Sequence, residues 1–149
     1  MKLKVLAVAS GGGHWTQMMR LVPAFSGCEV VFVGVKAMYR DDVAGARFYA
    51  IPDVSRLHLA SLPRALFALA GILLRERPQV VVTTGSAPGL LALRLARLLG
   101  MRTVWIDSVA NVEELSLSGR KARRYADLWL TQWPHLAKEQ GPEYRGSLL

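Results

Sequence analysis

Residues 3–14 read Leu3-Lys4-Val5-Leu6-Ala7-Val8-Ala9-Ser10-Gly11-Gly12-Gly13-His14, and this stretch decides the fold. The apolar run Val5–Ala9 leads straight into three consecutive glycines. A short apolar run of this kind reads as a buried strand rather than one with a wet face. The glycines then make a tight turn that lets the backbone approach a ligand closely. Beyond them His14–Phe25 carries apolar residues at helical spacing (Met18, Met19, Leu21, Val22), so the turn sits where strand hands over to helix. The run is not a secretory leader. Lys2 and Lys4 imitate its charged start, but the apolar run falls below the ~7–15 residues of a hydrophobic segment, and Gly11–Gly13 ends it.

Working outward, the same arrangement recurs. Gln79–Thr83 is a second apolar strand, followed by the turn Thr84-Gly85-Ser86-Ala87-Pro88-Gly89 and a helix over Gly89–Leu99. Gly100 is its natural C-terminal stop. Between the two turns, Glu29–Val33 and Phe48–Ile51 read as strands, Val35–Gly45 as polar and irregular, and Leu62–Arg77 as a helix ended by Pro78. After them come a strand at Thr103–Ile106, a helix at Ser118–Ala126 and a last strand at Asp127–Thr131. Apolar strands alternating with helices argue for a parallel sheet covered on both faces. The expected fold is α/β, a single Rossmann-like doubly wound sheet that fills residues 1–149 as one domain, with ligands at the carboxyl ends of its strands.

A chain of 149 residues suits one domain, and at this size about 68–70% of the unfolded surface is buried, so a core needs no disulfide. The single cysteine, Cys28, reads as a small core residue at the start of a strand and fits a reducing compartment. Hydrophobic residues make up 52% of the chain and the net charge is +8, from 19 Lys and Arg against 11 Asp and Glu. That combination points to anionic lipid, phosphate-bearing ligands or nucleic acid. Nucleic acid is disfavoured, because no stacking motif or recognition helix accompanies the charge. No stretch approaches the ~20 apolar residues of a membrane span.

Two glycine turns at one sheet edge suggest a cradle for a phosphate or diphosphate, built from Gly11, Gly12, Gly13, Thr84, Gly85, Ser86 and Ala87. The plainer reading is that the glycines only permit tight strand–helix junctions. Two familiar nucleotide sites fail. The first turn is not G-x-G-x-x-G, and Gly34-Val35-Lys36, ending the second strand, holds no acid for a ribose. A G-K-[ST] sequence is also absent, so no dinucleotide or ATP cofactor is expected. His58 and His135 lie far from the turns, and no His/Cys/Asp spacing suggests a metal.

Three blocks carry a resemblance to a known family: ASGGGHWTQMMRL (9–21), VVTTGSAPGLLALRLARLLG (81–100) and WIDSVANVEELSLSGRKARRYADLWLTQWPHL (105–136). The chain resembles the anchor subunits of the split N-acetylglucosaminyltransferase that adds the second sugar in N-glycan assembly. It resembles more closely the bacterial capsule and exopolysaccharide glycosyltransferase subunits of that family. More distantly, its glycine turns look like those of the peptidoglycan lipid I glycosyltransferase. The resemblance implies the N-terminal half of a GT-B glycosyltransferase that binds a polyprenyl-diphosphate-linked acceptor at the cytoplasmic face of the inner membrane. A short donor-binding partner subunit would complete it as a heterodimer and supply the UDP-sugar. Eukaryotic members begin with a membrane-spanning anchor, whereas this chain begins at its first strand. Asp107 and Asn111 stand where those members usually carry Glu and Arg.

Within that implied chemistry particular residues become candidates. Inverting glycosyl transfer needs a base for the acceptor hydroxyl. His14, at the mouth of the first turn, and Asp107, closing the fifth strand, are the rivals. The alternatives are a cap or phosphate contact for His14, and a cap or loop anchor for Asp107. Ser108, Asn111 and Glu113 follow Asp107 and are candidates for sugar hydroxyls. The helix Leu62–Arg77 is apolar almost all round. It is expected either to pack as a buried crossover or, with Arg64 and Arg75 as flanking cations, to lie in an anionic membrane surface through Leu66, Phe67, Leu69 and Leu73. Arg120, Lys121, Arg123 and Arg124 are either a solvated face or a site of attraction for anionic lipid or the acceptor diphosphate. The sugar moved is expected to be glucuronate or N-acetylglucosamine. The rival reading is a non-catalytic scaffold that recruits and orients the donor-binding enzyme.

Overall fold

The computed structural model describes residues 2–55 and 59–149. In chain order the elements are β1 (Lys4–Val8), α1 (Gly13–Leu21), β2 (Glu29–Gly34), β3 (Arg47–Ala50), α2 (Leu62–Glu76), β4 (Val80–Thr83), α3 (Ser86–Leu98), β5 (Arg102–Ile106), α4 (Leu117–Ala122), β6 (Leu128–Thr131) and β7 (Glu143–Tyr144). The strands form one sheet in the order β3-β2-β1-β4-β5-β6-β7, and every neighbouring pair is parallel. From β1 the chain winds outward to β3, then returns through α2 to lay β4 on the other side of β1. That reversal is the switch point of a doubly wound sheet, where a crevice opens at the carboxyl ends of the strands. Both glycine turns lie there, after the paired strands β1 and β4.

The period-two geometry of a strand sends alternate residues to opposite faces. Leu6 and Val8 pack with Leu69, Ile72 and Leu73 of α2 and with Ala92, Leu93 and Ala96 of α3. Ala7 and Ala9 face the other way, onto Trp15 and Met18 of α1. Two apolar layers against a two-faced sheet explain why β1 and β4 read as unbroken apolar runs.

The helices depart from expectation in physically simple ways. Pro23 cannot donate a backbone hydrogen bond, so the helix expected over His14–Phe25 gives way to a 3-10 turn at Val22–Phe25. The segment expected as irregular contains a 3-10 stretch, Ala37–Val43. Helix α3 starts at Ser86, three residues before expectation, because Pro88 occupies the first turn, where an N–H has no partner to lose. Strand β7 was not foreseen.

Helix α2 corrects the membrane reading in part. Leu69 and Leu73 are fully buried, turned onto the sheet, and so have no route to lipid. Leu66, Phe67 and Leu74 point outward, with Phe67 exposed to 78%. The helix is therefore both a buried crossover and an apolar outer stripe. Its last residue, Glu76, is 6% exposed and receives Lys4 Nζ at 2.8 Å, Arg47 Nη2 at 2.9 Å and the Tyr49 hydroxyl at 2.6 Å. Burial alone would raise the Glu76 carboxyl, but the bonds from Lys4 and Tyr49 and the neighbouring positive charges hold it below its ordinary value. His58 lies outside the described residues.

Candidate functional site

The two glycine turns are clasped to each other. The Thr84 hydroxyl donates to the His14 carbonyl at 2.7 Å, and the His14 ring returns a bond from Nδ1 to the Thr84 carbonyl at 3.0 Å. A carbonyl only accepts, so Nδ1 carries the hydrogen and the neutral ring keeps its lone pair on Nε2. Among the described residues Nε2 has no hydrogen-bond partner. Gly85 makes the clasp possible: its φ is +122°, and a Cβ there would stand 3.1 Å from the imidazole.

His14 lines a cavity of about 290 Å³ together with Ser86, Ser108, Asn111, Ser116 and Ser118. The wall is rich in hydroxyl and amide groups, the chemistry that reads sugar hydroxyls. The Ser86 and Ser118 hydroxyls and the Asn111 side-chain oxygen have no hydrogen-bond partner among the described residues. Ser86 holds a left-handed φ of 72°, a conformation that is strained for serine and held by its surroundings. It stands at the start of α3, beside His14 in the cavity wall. Neither α1 nor α3 has a side-chain cap at its N-terminus, so backbone donors remain there for a ligand.

Asp107 is placed differently from His14. Its Oδ1 accepts from Trp105 Nε1 at 3.1 Å and the Ser116 hydroxyl at 2.6 Å. Its Oδ2 accepts from Asn111 Nδ2 at 3.2 Å and the Ser116 N–H at 3.0 Å. With four donors and 2% exposure, the carboxylate is closed to an incoming hydroxyl. It anchors the loop over residues 107–116 and, through Ser116, the start of α4, where the Ser116 Oγ accepts from the Gly119 N–H at 2.8 Å. Of the two rivals for the base, only His14 lines the cavity and keeps a ring nitrogen without a hydrogen-bond partner among the described residues.

The remaining candidates divide. Asn111 and Ser108 reach the cavity, although Ser108 is largely used in holding Gln17. Glu113 does not: it is exposed in a neighbouring groove beside Arg120 and Arg123. Thr84 is buried and serves the clasp. Gly11 lies against Tyr39, whose hydroxyl accepts from the Gly12 N–H at 3.0 Å and whose ring stacks on Trp15 at 4.5 Å. Gly13 is the first residue of α1, and Ala87 belongs to the first turn of α3. No group of three or more His, Cys, Asp or Glu among the described residues is placed to hold a metal ion.

The polar supports beneath the cavity were not among the candidates visible in the sequence. Gln17 Nε2 donates to the Ser108 hydroxyl at 3.0 Å, and Gln17 Oε1 accepts from the Val109 N–H at 3.1 Å. Gln132 Nε2 donates to the Asp107 carbonyl at 3.0 Å and reaches Gln17 as well. The signal for Gln17 was a polar residue between Trp15 and Met18 on the apolar face of α1. Ser116 and Gln132 stood inside the block 105–136.

The family model described as "Oligosaccharide biosynthesis protein Alg14 like" matches residues 57–148. The UDP-N-acetylglucosamine transferase subunit ALG14 of Mus musculus is 27% identical, over 95% of this chain and 80% of that protein. Its counterpart in Eremothecium gossypii is 28% identical, over 90% of this chain and 74% of that one. Among solved structures, MurG of Acinetobacter baumannii superposes with a TM-score of 0.77 at 15% identity, over 97% of this chain and 45% of its own. A UDP-N-acetylglucosamine 2-epimerase from Rickettsia bellii gives 0.68 at 13% identity, over 91% and 40%. At these identities the structural likeness is one of fold, and the chain spans less than half the length of either enzyme.

Proposed function

Because the chain belongs to the Alg14-like family of oligosaccharide biosynthesis proteins, we propose that it is the acceptor-side subunit of a two-component glycosyltransferase. It binds a polyprenyl-diphosphate-linked saccharide, and a short donor-binding partner brings a UDP-sugar over the carboxyl edge of the sheet. The acceptor hydroxyl approaches His14 Nε2, which takes its proton as the new glycosidic bond forms and UDP leaves the anomeric carbon on the opposite face. The Thr84 carbonyl, accepting from Nδ1–H, holds the ring in that tautomer and in that orientation. The observation that carries this reading is that His14, its Nδ1 held by the Thr84 carbonyl and its Nε2 without a partner among the described residues, lines a hydroxyl-rich cavity at the switch point.

The outer stripe of α2 docks the subunit on the cytoplasmic face of the inner membrane as a peripheral protein. Leu62, Leu66, Phe67 and Leu74 are exposed there, 37–78% accessible, beside Arg64 and Arg75. That is the pattern of an interfacial helix. No helix among the described residues is long and apolar enough to cross a membrane.

The names of the relatives, UDP-N-acetylglucosamine transferase subunits, favour N-acetylglucosamine as the sugar, with glucuronate as the alternative donor. The test is an assay of the chain with its partner against a panel of UDP-sugars and a prenyl-diphosphate saccharide. The expected result is turnover with one of these two donors, only when both chains are present. Turnover by this chain alone, or none by the pair with any donor, overturns the proposal.

A further inference from the structure

A second concavity, of about 600 Å³, lies between α3 and α4. Its rim carries five cations: Arg94 from α3, with Arg120, Lys121, Arg123 and Arg124 from α4 and the turn after it. No acid lines it. Arg120 has Glu114 at 3.7 Å, while Arg94, Lys121 and Arg124 make no ion pair among the described residues. The dipole at the end of α4 accounts for one or two basic residues there. It does not account for Arg94, which lies in the interior of α3 and places its guanidinium over the Tyr125 ring at 5.9 Å.

The floor of the groove is apolar, formed by Leu90, Leu91 and Leu117. Leu117, 49% exposed, also lines the His14 cavity, so the groove and the cavity share a wall. Cations above a greasy floor match an anion joined to a hydrocarbon chain, and a diphosphate carries enough charge to occupy several of them.

We propose that this groove holds the diphosphate and the first isoprenoid units of the lipid-linked acceptor, so that the attached saccharide passes Leu117 to reach His14. The glycine turns, with their hydroxyls and backbone donors, are then left for the sugar. This rests on the acceptor-side reading above and moves the diphosphate away from the turns.

The test is calorimetric titration of the full chain with farnesyl diphosphate, with inorganic diphosphate, farnesol and phosphatidylglycerol vesicles as separate arms. The wild-type chain is expected to bind farnesyl diphosphate at least about tenfold more tightly than either fragment, and more weakly as salt rises. An Arg94→Gln/Arg124→Gln double variant, changed only at exposed positions, should lose about 100-fold, roughly tenfold for each charge-assisted contact. Its vesicle binding should stay within about twofold of wild type, since the α2 stripe carries that attachment. His14→Ala should leave the farnesyl diphosphate affinity unchanged, so failure of the base assignment is separable from failure here. No binding by the wild-type chain, or equal binding by a double variant with a wild-type melt, overturns the proposal. Vesicle binding that falls in step also overturns it, because the groove is then a general anionic-lipid surface.

Discussion

His14 and Asp107 look alike in the sequence, each a titratable residue at the carboxyl end of a strand, and their hydrogen bonds separate them. His14 spends one nitrogen on a carbonyl and keeps the other open. Asp107 spends both oxygens, each twice. Asp107→Asn would set an amide N–H₂ against groups that are themselves donors. It should cost about 1–3 kcal/mol of stability, read by urea denaturation, while kcat per folded molecule changes only a few-fold. Unchanged stability with a kcat loss of several hundred-fold would return Asp107 to the role of base. What was legible in the sequence was that both residues stand at the ligand edge. Their roles were not, because the donors that close Asp107 come from Trp105, Asn111 and Ser116, and only folding brings the last of these, nine positions on, against it. Gly119 shows the same limit: a Cβ there would overlap the Asp107 carboxylate, a constraint invisible in the run of residues 115–119.

At the scale of elements, α2 illustrates what a helical pattern conceals. Its apolar residues surround almost the whole helix, so periodicity could not say which of them face the sheet. Leu69 and Leu73 do, and Leu66 and Phe67 do not. Leu73→Ala should therefore cost about 2–5 kcal/mol, while Phe67→Gln should leave the thermal melt within about a degree and weaken vesicle flotation, consistent with the small cost of surface changes. A melt that collapses for Phe67→Gln would place that side chain in the core.

The amino end of the sheet carries a pH dependence of its own. The folded Glu76 carboxyl titrates below its ordinary value of 4.5. The stability it contributes is fully present above that pH and is lost as pH falls through the folded value. The difference in denaturation free energy between wild type and Glu76→Gln should therefore narrow between neutral pH and strong acid, with the change beginning below about 4.5. A difference constant across that range would mean that Lys4, Arg47 and Tyr49 contribute nothing through the charge of Glu76.

For the whole molecule, the alternation of apolar strand, glycine turn and helix was enough to read the parallel sheet, because strands buried on both faces must be apolar throughout. Strand β7 escaped because it is two exposed residues, Glu143 and Tyr144, defined by pairing with β6 rather than by any apolar run. The cavity was legible only in part. Its rim comes from three places: the turn after β1, the turn after β4, and the loop after β5 together with the start of α4 that it leads into. The buried Gln17, Gln132 and Ser108 that join the first and last of these carry no local pattern.

In the proposed reaction this chain contributes the base as well as the acceptor site to an enzyme completed by its partner. The most direct measurement is kcat of the reconstituted pair with wild-type and His14→Ala chains, at saturating acceptor and UDP-sugar. A general base is worth about 10²–10⁴-fold, so kcat should fall by that factor while the acceptor KM, partner affinity and vesicle binding hold. A fall of only a few-fold in kcat, with or without a rise in acceptor KM, would contradict it and leave this subunit a scaffold for a base carried by the partner.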